Sequence, residues 1–389
     1  MNILFPYMAR WRSANWTRYH QLLIALCRKG HQVFILEPPA LTSSEETNYT
    51  DLDIKLPEGM VVHEIRVPLW EIRLPLEKLA KKGLATLATK HVLQDFIKEH
   101  AIDVLLLYNF PQYVLARGTS CLTVFDIADD LVAMFGHEVG KAWQPILHGI
   151  AERFHKGLIR TSHLVITTPS VMLAEQLGKQ AAVLPNGADW EAAQKADGRQ
   201  IRERYATPIV GFLGAFEYFV DFDVVLAAAE ALKEVSFLLV GTGRLWKTIK
   251  AQVETRSLTN VFLPGPVPYP RGLDYVSAMD ICLVPLTKSP VSDGACPLKL
   301  FEYAALRKPI ISTSTSGVMK VGRDFTIFAD TPAELVEAIR RILHRPDSTQ
   351  CFVNRGYELV QSTYRWDVIS DRFLELVDGV GQFPADRLR

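Results

Sequence analysis

The chain alternates short apolar runs with longer stretches in which apolar residues recur every three or four positions, and it does so along nearly its whole length. Runs of about four to eight apolar residues suit strands covered on both faces of a parallel sheet, and the periodic stretches suit the helices that cross between them. The predicted fold class is α/β. In the first half the runs predict strands at 2–7, 31–38, 103–109, 122–126, 163–168 and 181–185, with a helix from about Asn15 to Arg28 closed by Lys29 and Gly30. A second series predicts strands at 209–214, 235–241, 260–265, 280–286 and 309–314. Between the series, residues 185–208 open on the turn residues "PNG" and continue polar and charged, so they read as a linker. Segments 42–59 and 69–82 show no clear period, and "YRWDVISDRFLELV" (364–377) is an amphipathic helix standing after the second sheet is complete.

With 389 residues, 48% of them hydrophobic, the chain exceeds the size of one usual core. Two Rossmann-like domains facing a cleft are expected: residues 1–187 with the returning helix 364–389, and residues 188–363. The 43 basic and 43 acidic residues cancel and form no long run of one sign, which argues against a nucleic-acid partner. Five scattered cysteines without a CxxC pair predict reduced thiols rather than disulfides or a zinc site. The first residues lack the apolar stretch of a signal peptide, and no uncharged run of about 18 residues occurs, so a cytoplasmic protein is expected. The segment 74–91 reads in two ways, as a basic amphipathic face lying on an anionic membrane or as a solvated helix.

The most informative stretch is "ACPLKLFEYAALRKPII" (295–311), a helix beginning where the strand 280–286 has ended. In an open parallel sheet ligands sit beyond the carboxyl ends of strands. Pro297 suits the first helical position, which leaves the N–H groups of Leu298, Lys299 and Leu300 facing the loop. A lysine in a first turn opposes the helix dipole unless a negative ligand reverses the sign. Glu302, one turn on, can accept two hydrogen bonds from a vicinal diol, as acidic residues do for a nucleotide ribose. A nucleoside diphosphate would satisfy both side chains; the competing reading is an exposed ion pair worth about 0.2–0.5 kcal/mol.

"PLKLFEYAALRKPIIS" resembles the donor-binding segment of retaining glycosyltransferases of family four, which have the GT-B fold. The turn at Gly214, "LLVGTG" (238–243), "VFLPGPVPY" (261–269), "PNG" (185–187) and "YRWD" (364–367) agree in order, and the likeness covers most of residues 120–375. The resemblance implies a metal-independent, hexosyltransferase-like enzyme that needs no cofactor and moves a sugar from a nucleoside-diphosphate sugar to a hydroxyl acceptor with retention of configuration, as in polysaccharide biosynthesis. It implies that Pro297, Leu298, Lys299 and Glu302 hold the donor, with Gly214, Gly241, Gly243 and the backbone of Val267 beside it. Two departures stand out. The family's usual glutamate eight positions before Glu302 is Gly294 here, with Asp293 next to it as a candidate for the sugar hydroxyls or as a cap. The family's basic residue after the first strand of the second domain is also absent from "GAFEYFVDFD" (214–223), which leaves Arg12 or Arg18 as substitutes. Asp221 and Asp223 could bridge a metal-bound diphosphate, but they stand where helix caps and first-turn acids belong.

In the first domain "VFDIADD" (124–130) sets Asp126 at a strand's carboxyl end with Asp129 and Asp130 beyond it. Similar segments in the family line the acceptor pocket, so either Asp126 or Asp129 is expected at the acceptor hydroxyl as partner or base, a helix cap being the alternative for each. The loop after the first strand is aromatic and basic, and Arg12, Asn15, Trp16 and His20 are candidates for gripping the acceptor, although Trp16 and His20 could also pack as one helix face. Two rival readings are a sugar-nucleotide epimerase of related fold and a non-catalytic sugar-nucleotide-binding homologue. A dinucleotide dehydrogenase is disfavoured, because neither first βα turn carries G-x-G-x-x-G.

Overall fold

The computed structural model describes residues 1–12, 16–39, 55–68, 70, 77–138, 144–168 and 181–381. They divide into two compact units, one of residues 1–168, 181–184 and 370–381, the other of residues 185–369.

The first unit is built on a wholly parallel seven-stranded sheet of order β3-β2-β1-β4-β5-β6-β7. Its strands are β1 (Asn2–Pro6), β2 (Gln32–Glu37), β3 (Met60–Glu64), β4 (Val104–Leu107), β5 (Leu122–Ile127), β6 (Leu164–Thr167) and β7 (Ala181–Val183). Five lie inside the apolar runs, and β5 overruns its run 122–126 by one residue. β3 does not announce itself in the sequence: it is an edge strand in which Met60 is buried but Val61 is 40% exposed, so there is no continuous apolar run to read. The first helix begins at Arg18 rather than Asn15, because Thr17 and His20 form a capping box that fixes its start.

The second unit carries a parallel six-stranded sheet of order β10-β9-β8-β11-β12-β13. Its strands are β8 (Ile209–Leu213), β9 (Ser236–Val240), β10 (Val261–Gly265), β11 (Ile281–Val284), β12 (Ile310–Ser312) and β13 (Ile327–Phe328). The two-residue β13 is too short for a hydrophobic pattern to reveal. Both faces of this sheet are covered, which is why its strands read as unbroken apolar runs: along β8, Val210 and Phe212 enter one core cluster and Ile209 the other, and along β9, Phe237 and Leu239 oppose Leu238 and Val240.

The stretch 185–208 is not a free connector. Asp189 caps the helix Trp190–Lys195 by accepting from Ala192 N at 3.1 Å, a second short helix spans Arg199–Arg202, and a Cβ on Gly198 would fall 2.3 Å from Ala278 N. The last helix, Trp366–Gly381, starts within the second unit, where Ala188 and Tyr364 pair at 2.9 Å. Its later part counts with the first, where Lys29 Nζ meets Asp371 at 2.7 Å.

In each sheet the strand order changes direction once, between β1 and β4 and between β8 and β11. The carboxyl ends flanking these two points are where an open parallel sheet presents a crevice.

Candidate functional site

In the second unit the carboxyl end of β8 leads to Gly214, and that of β11 leads through the short helix Pro290–Asp293 to the helix Leu298–Ala305. Pro297 is the N-cap of this helix, with extended φ and ψ of −67° and 128°, and not its first helical residue. The helix is held from three sides. Leu300, Phe301, Tyr303, Ala304 and Ala305 are buried; the Tyr303 hydroxyl accepts the N–H of Leu213 at 2.8 Å; and the Phe301 ring packs on Tyr364 with centroids 4.8 Å apart. Asn186, read from sequence only as part of a turn, donates its buried side-chain amide to the carbonyl of Cys296 at 2.6 Å and so fixes the residue that enters Pro297. No residue-by-residue pattern marks that contact, since its partners lie 110 positions apart.

At the helix tip the Leu300 N–H turns back to the Pro297 carbonyl at 3.2 Å. The amides of Leu298 and Lys299 have no acceptor among the described residues. Two orphan N–H groups, rather than the three expected, therefore mark the positive end of the dipole. Lys299 and Glu302 are both half-buried and form no ion pair with each other. Instead the ammonium lies 4.1 Å over the ring of Phe212, in the loop side of β8, and a Cβ on Gly214 (φ +152°) would come within 2.7 Å of Lys299 Nζ. The Glu302 carboxylate has no hydrogen-bond partner among the described residues. Burial pushes Lys299 down to about 8, with Glu302 opposing, and pushes Glu302 up to about 7, opposed by Lys299 and aided by Asp189. The exposed ion pair is thus not what these residues form. A cation and an acid stand one turn apart, each partly stripped of water and neither in an ion pair or side-chain hydrogen bond among the described residues.

A pH dependence follows. An anionic ligand needs the Lys299 ammonium, and a diol needs the ionised Glu302, so affinity falls as pH drops through about 7 and again as it rises through about 8. Titration calorimetry with a sugar nucleotide, whose esterified diphosphate does not ionise in this range, is expected to give a maximum between these values. A flat profile from about pH 6 to about pH 9 would contradict the assignment.

The glycines around the tip mostly serve contact between loops. A Cβ on Gly241 would lie 1.9 Å from the Gly214 carbonyl oxygen and one on Gly243 2.6 Å from that of Phe216, so both positions are closed by backbone. Gly214 N donates to Val240 O at 3.0 Å and Phe216 N to Thr242 O at 3.0 Å, which ties the β8 and β9 loops together. This contact brings Arg244 to the Gly214 loop, its Nε 3.3 Å from Glu217 and its guanidinium 5.8 Å from the Tyr218 ring centroid. The 214–223 loop thus meets a basic residue from the neighbouring loop, and that residue is paired with Glu217. Val267, just past β10, is half-buried against the core. Asp293 is already engaged, accepting from Ser316 N at 2.9 Å and Ser316 Oγ at 3.0 Å. Asp221 caps its helix through Val224 N at 3.1 Å, and Asp223 faces Gln252 and Arg256.

In the first unit the three acids after β5 separate. Asp126 is fully buried with Oδ2 2.8 Å from Arg18 Nε, and burial raises its pKa against the pull of Arg18. Asp130 caps the next helix by accepting from Ala133 N at 2.9 Å. Asp129 alone is exposed, although burial of its carboxyl raises its pKa too, with Arg18 opposing. Arg18, 3% exposed, also donates to the Leu184 carbonyl at 3.2 Å and is spent inside the unit rather than offered to a ligand. His20 is fully buried between two indoles, 4.0 Å from Trp11 and 4.8 Å from Trp16 between centroids, and burial lowers its pKa to about 4. The aromatic loop is therefore largely a packed stack. Trp16 is half-buried, Arg12 is exposed, and Asn15 lies outside the described residues.

Residues 207–345 match the family model described as "Glycosyl transferases group 1". A stretch of 164 residues, 41% of this chain, is 28% identical to the putative teichuronic acid biosynthesis glycosyltransferase TuaH of Bacillus subtilis (strain 168), and it spans 41% of that protein, less than half its length. Among solved structures, sucrose-phosphate synthase from Thermosynechococcus elongatus superimposes with a TM-score of 0.78 at 18% identity, covering 98% of this chain and 99% of that one. Anabaena HepE in complex with UDP-glucose gives 0.69 at 15% identity over 97% of this chain and 100% of that one. WaaG, a glycosyltransferase involved in lipopolysaccharide biosynthesis, gives 0.68 at 12% identity over 98% and 100%. The chain has the GT-B fold of two parallel-sheet units, and the part that matches the group 1 glycosyltransferase model contains the Lys299–Glu302 helix.

Proposed function

We propose that the protein is a glycosyltransferase that takes a sugar from a nucleoside-diphosphate sugar and passes it, with retention of configuration, to a hydroxyl acceptor in glycan synthesis. The observation that carries this reading is the tip of the helix Leu298–Ala305, where two amides, an ammonium and a carboxylate stand at the carboxyl end of a sheet's switch point with no hydrogen-bond or ion-pair partner among the described residues. Lys299 and the amides take the charge that develops on the departing diphosphate, an electrostatic contribution made by groups already in place. Glu302 accepts the ribose hydroxyls. The Gly214 and Gly241 loops form the backbone wall beside the ammonium. Asp129, as the one exposed carboxylate of its group, is the proposed partner of the acceptor hydroxyl. UDP-sugars are the first donors to test, since HepE was solved with UDP-glucose, and the match to TuaH supports an acceptor in polysaccharide synthesis. No helix among the described residues is long and apolar enough to cross a membrane.

A thermal-shift panel of UDP-, GDP- and ADP-sugars tests the reading. One base class is expected to raise the melting temperature, because a ligand at about 100 times its Kd adds about 2.7 kcal/mol of apparent stability. Glu302→Ala should abolish that selective shift while the unliganded melting temperature holds. A shift that survives Glu302→Ala would contradict the site, and labelled donor converted alone into an epimerised sugar nucleotide would contradict the transfer.

A further inference from the structure

A cavity of about 840 Å³ opens in the second unit at the amino ends of its strands, next to Pro208 before β8, Asp280 before β11 and Pro309 before β12. It is therefore at the opposite edge of the sheet from the nucleotide site, and it sits within the usual volume range of small-molecule sites. Its lining combines apolar residues, among them Pro208, Leu232 and Pro309, with the basic Arg202, Arg307, Arg340 and His344 and the acidic Glu234 and Asp280.

The basic residues of the lining come from three separate parts of the chain. Arg202 is neutralised by Asp280 at 2.9 Å and donates to the Ala278 carbonyl at 2.9 Å. Arg307 follows the helix Leu298–Ala305 in left-handed backbone (φ +53°), lies flat over Tyr357 at 3.5 Å and spends one Nη1 on Asn354 at 3.4 Å. Arg340 and His344 stand one turn apart on the helix Pro332–His344, and neither makes a hydrogen bond or ion pair among the described residues. Of the two acids in the lining, Glu234 makes no hydrogen bond or ion pair among the described residues. Basic residues at a helix carboxyl end complement its dipole, which accounts for His344 and for Arg341 beside it. It does not account for Arg307 and Arg340 lining one hollow from different parts of the chain.

We propose that this cavity is a second ligand site, for a small organic anion whose phosphate or carboxylate meets Arg340 and Arg307 and whose body lies against Pro208, Leu232 and Pro309. The guanidinium groups supply fork-shaped donors suited to either anion. The inference does not depend on the donor reading, because the two sites share no residue. Arg307 nevertheless lies two residues past the end of the helix Leu298–Ala305 whose first turn carries Lys299.

The test titrates glucose 6-phosphate, glucuronate and glucose into the full chain, following heat and the His344 ring signal by NMR. Saturable one-to-one binding of a charged probe with no binding of glucose is expected, and which of the two charged probes binds tells phosphate from carboxylate. Arg340→Ala and Arg307→Gln should each weaken it about tenfold, and Glu302→Ala should leave it unchanged. Equal binding of glucose, no binding of either charged probe up to about 10 mM, or binding that ignores both arginine variants would overturn the proposal. So would binding lost with Glu302→Ala, since the probe would then be sitting in the nucleotide site.

Discussion

Lys299→Met is expected to lower sugar transfer by about 10²- to 10³-fold while leaving the protein as stable as before or more so. The two signs come from the same geometry. The ammonium is over the Phe212 ring and beside Gly214, with no carboxylate bonded to it, and burial holds its pKa down to about 8. A charge in that position costs folding energy because it loses water and gains only the face of the Phe212 ring, not a carboxylate, in return. Methionine keeps an unbranched apolar stem on Phe212 and removes the charge. The diphosphate, by contrast, loses the one cation aimed at it from this helix, and its negative charge grows as the bond to the sugar breaks. Arginine should not restore the rate, because a planar fork cannot occupy the volume of a compact ammonium against Gly214. Turnover under saturating donor and thermal denaturation, measured on the same preparations, check both halves. A lysine that were merely part of the fold would lose stability and activity together.

Asp126→Ala is expected to destabilise the first unit by about 3–5 kcal/mol, a large share of the 5–15 kcal/mol typical of a folded domain. Asp126 is fully buried and Arg18 is 3% exposed, with 2.8 Å between Oδ2 and Nε. Removing the acid strands a guanidinium where water does not reach, and its bond to the Leu184 carbonyl at 3.2 Å cannot neutralise it. Asp126→Asn keeps an acceptor for the guanidinium and should cost less. Urea unfolding followed by the near-UV signal of the Trp11–Trp16 stack reports on this unit. A loss below about 1 kcal/mol would mean that the pair is solvated and that Asp126 is free to act on a ligand. Asp129→Ala, in contrast, should leave stability unchanged and reduce transfer.

The residues behind these two predictions were not equally legible in the sequence. Eleven predicted runs became strands because both sheets are covered on both faces, so burial wrote itself as continuous apolar segments. β3 and β13 escaped because an edge strand and a two-residue strand bury too little to leave such a record. The Lys299–Glu302 helix was legible because a lysine in a first turn and an acid one turn later violate the local preference for the opposite charge. Its supports were not. Asn186 reaches Cys296 across 110 residues, and Arg244 reaches Glu217 because Gly243 packs on Phe216. Neither contact has a period or a spacing. The roles of Asp126, Asp129 and Asp130 could not be told apart in "VFDIADD", since which of three neighbouring acids caps, pairs or stays exposed depends on Arg18 and the helix that follows. His20 looked like a ligand for a sugar and is instead the centre of an aromatic stack, because two tryptophans placed at its sides bury it.

The most direct measurement is a crystal structure with a bound nucleoside diphosphate. Phosphate oxygens should lie about 3 Å from the amides of Leu298 and Lys299 and from Lys299 Nζ, with both ribose hydroxyls donating to Glu302. A nucleotide seated anywhere else, or a ribose turned away from Glu302, would contradict the account.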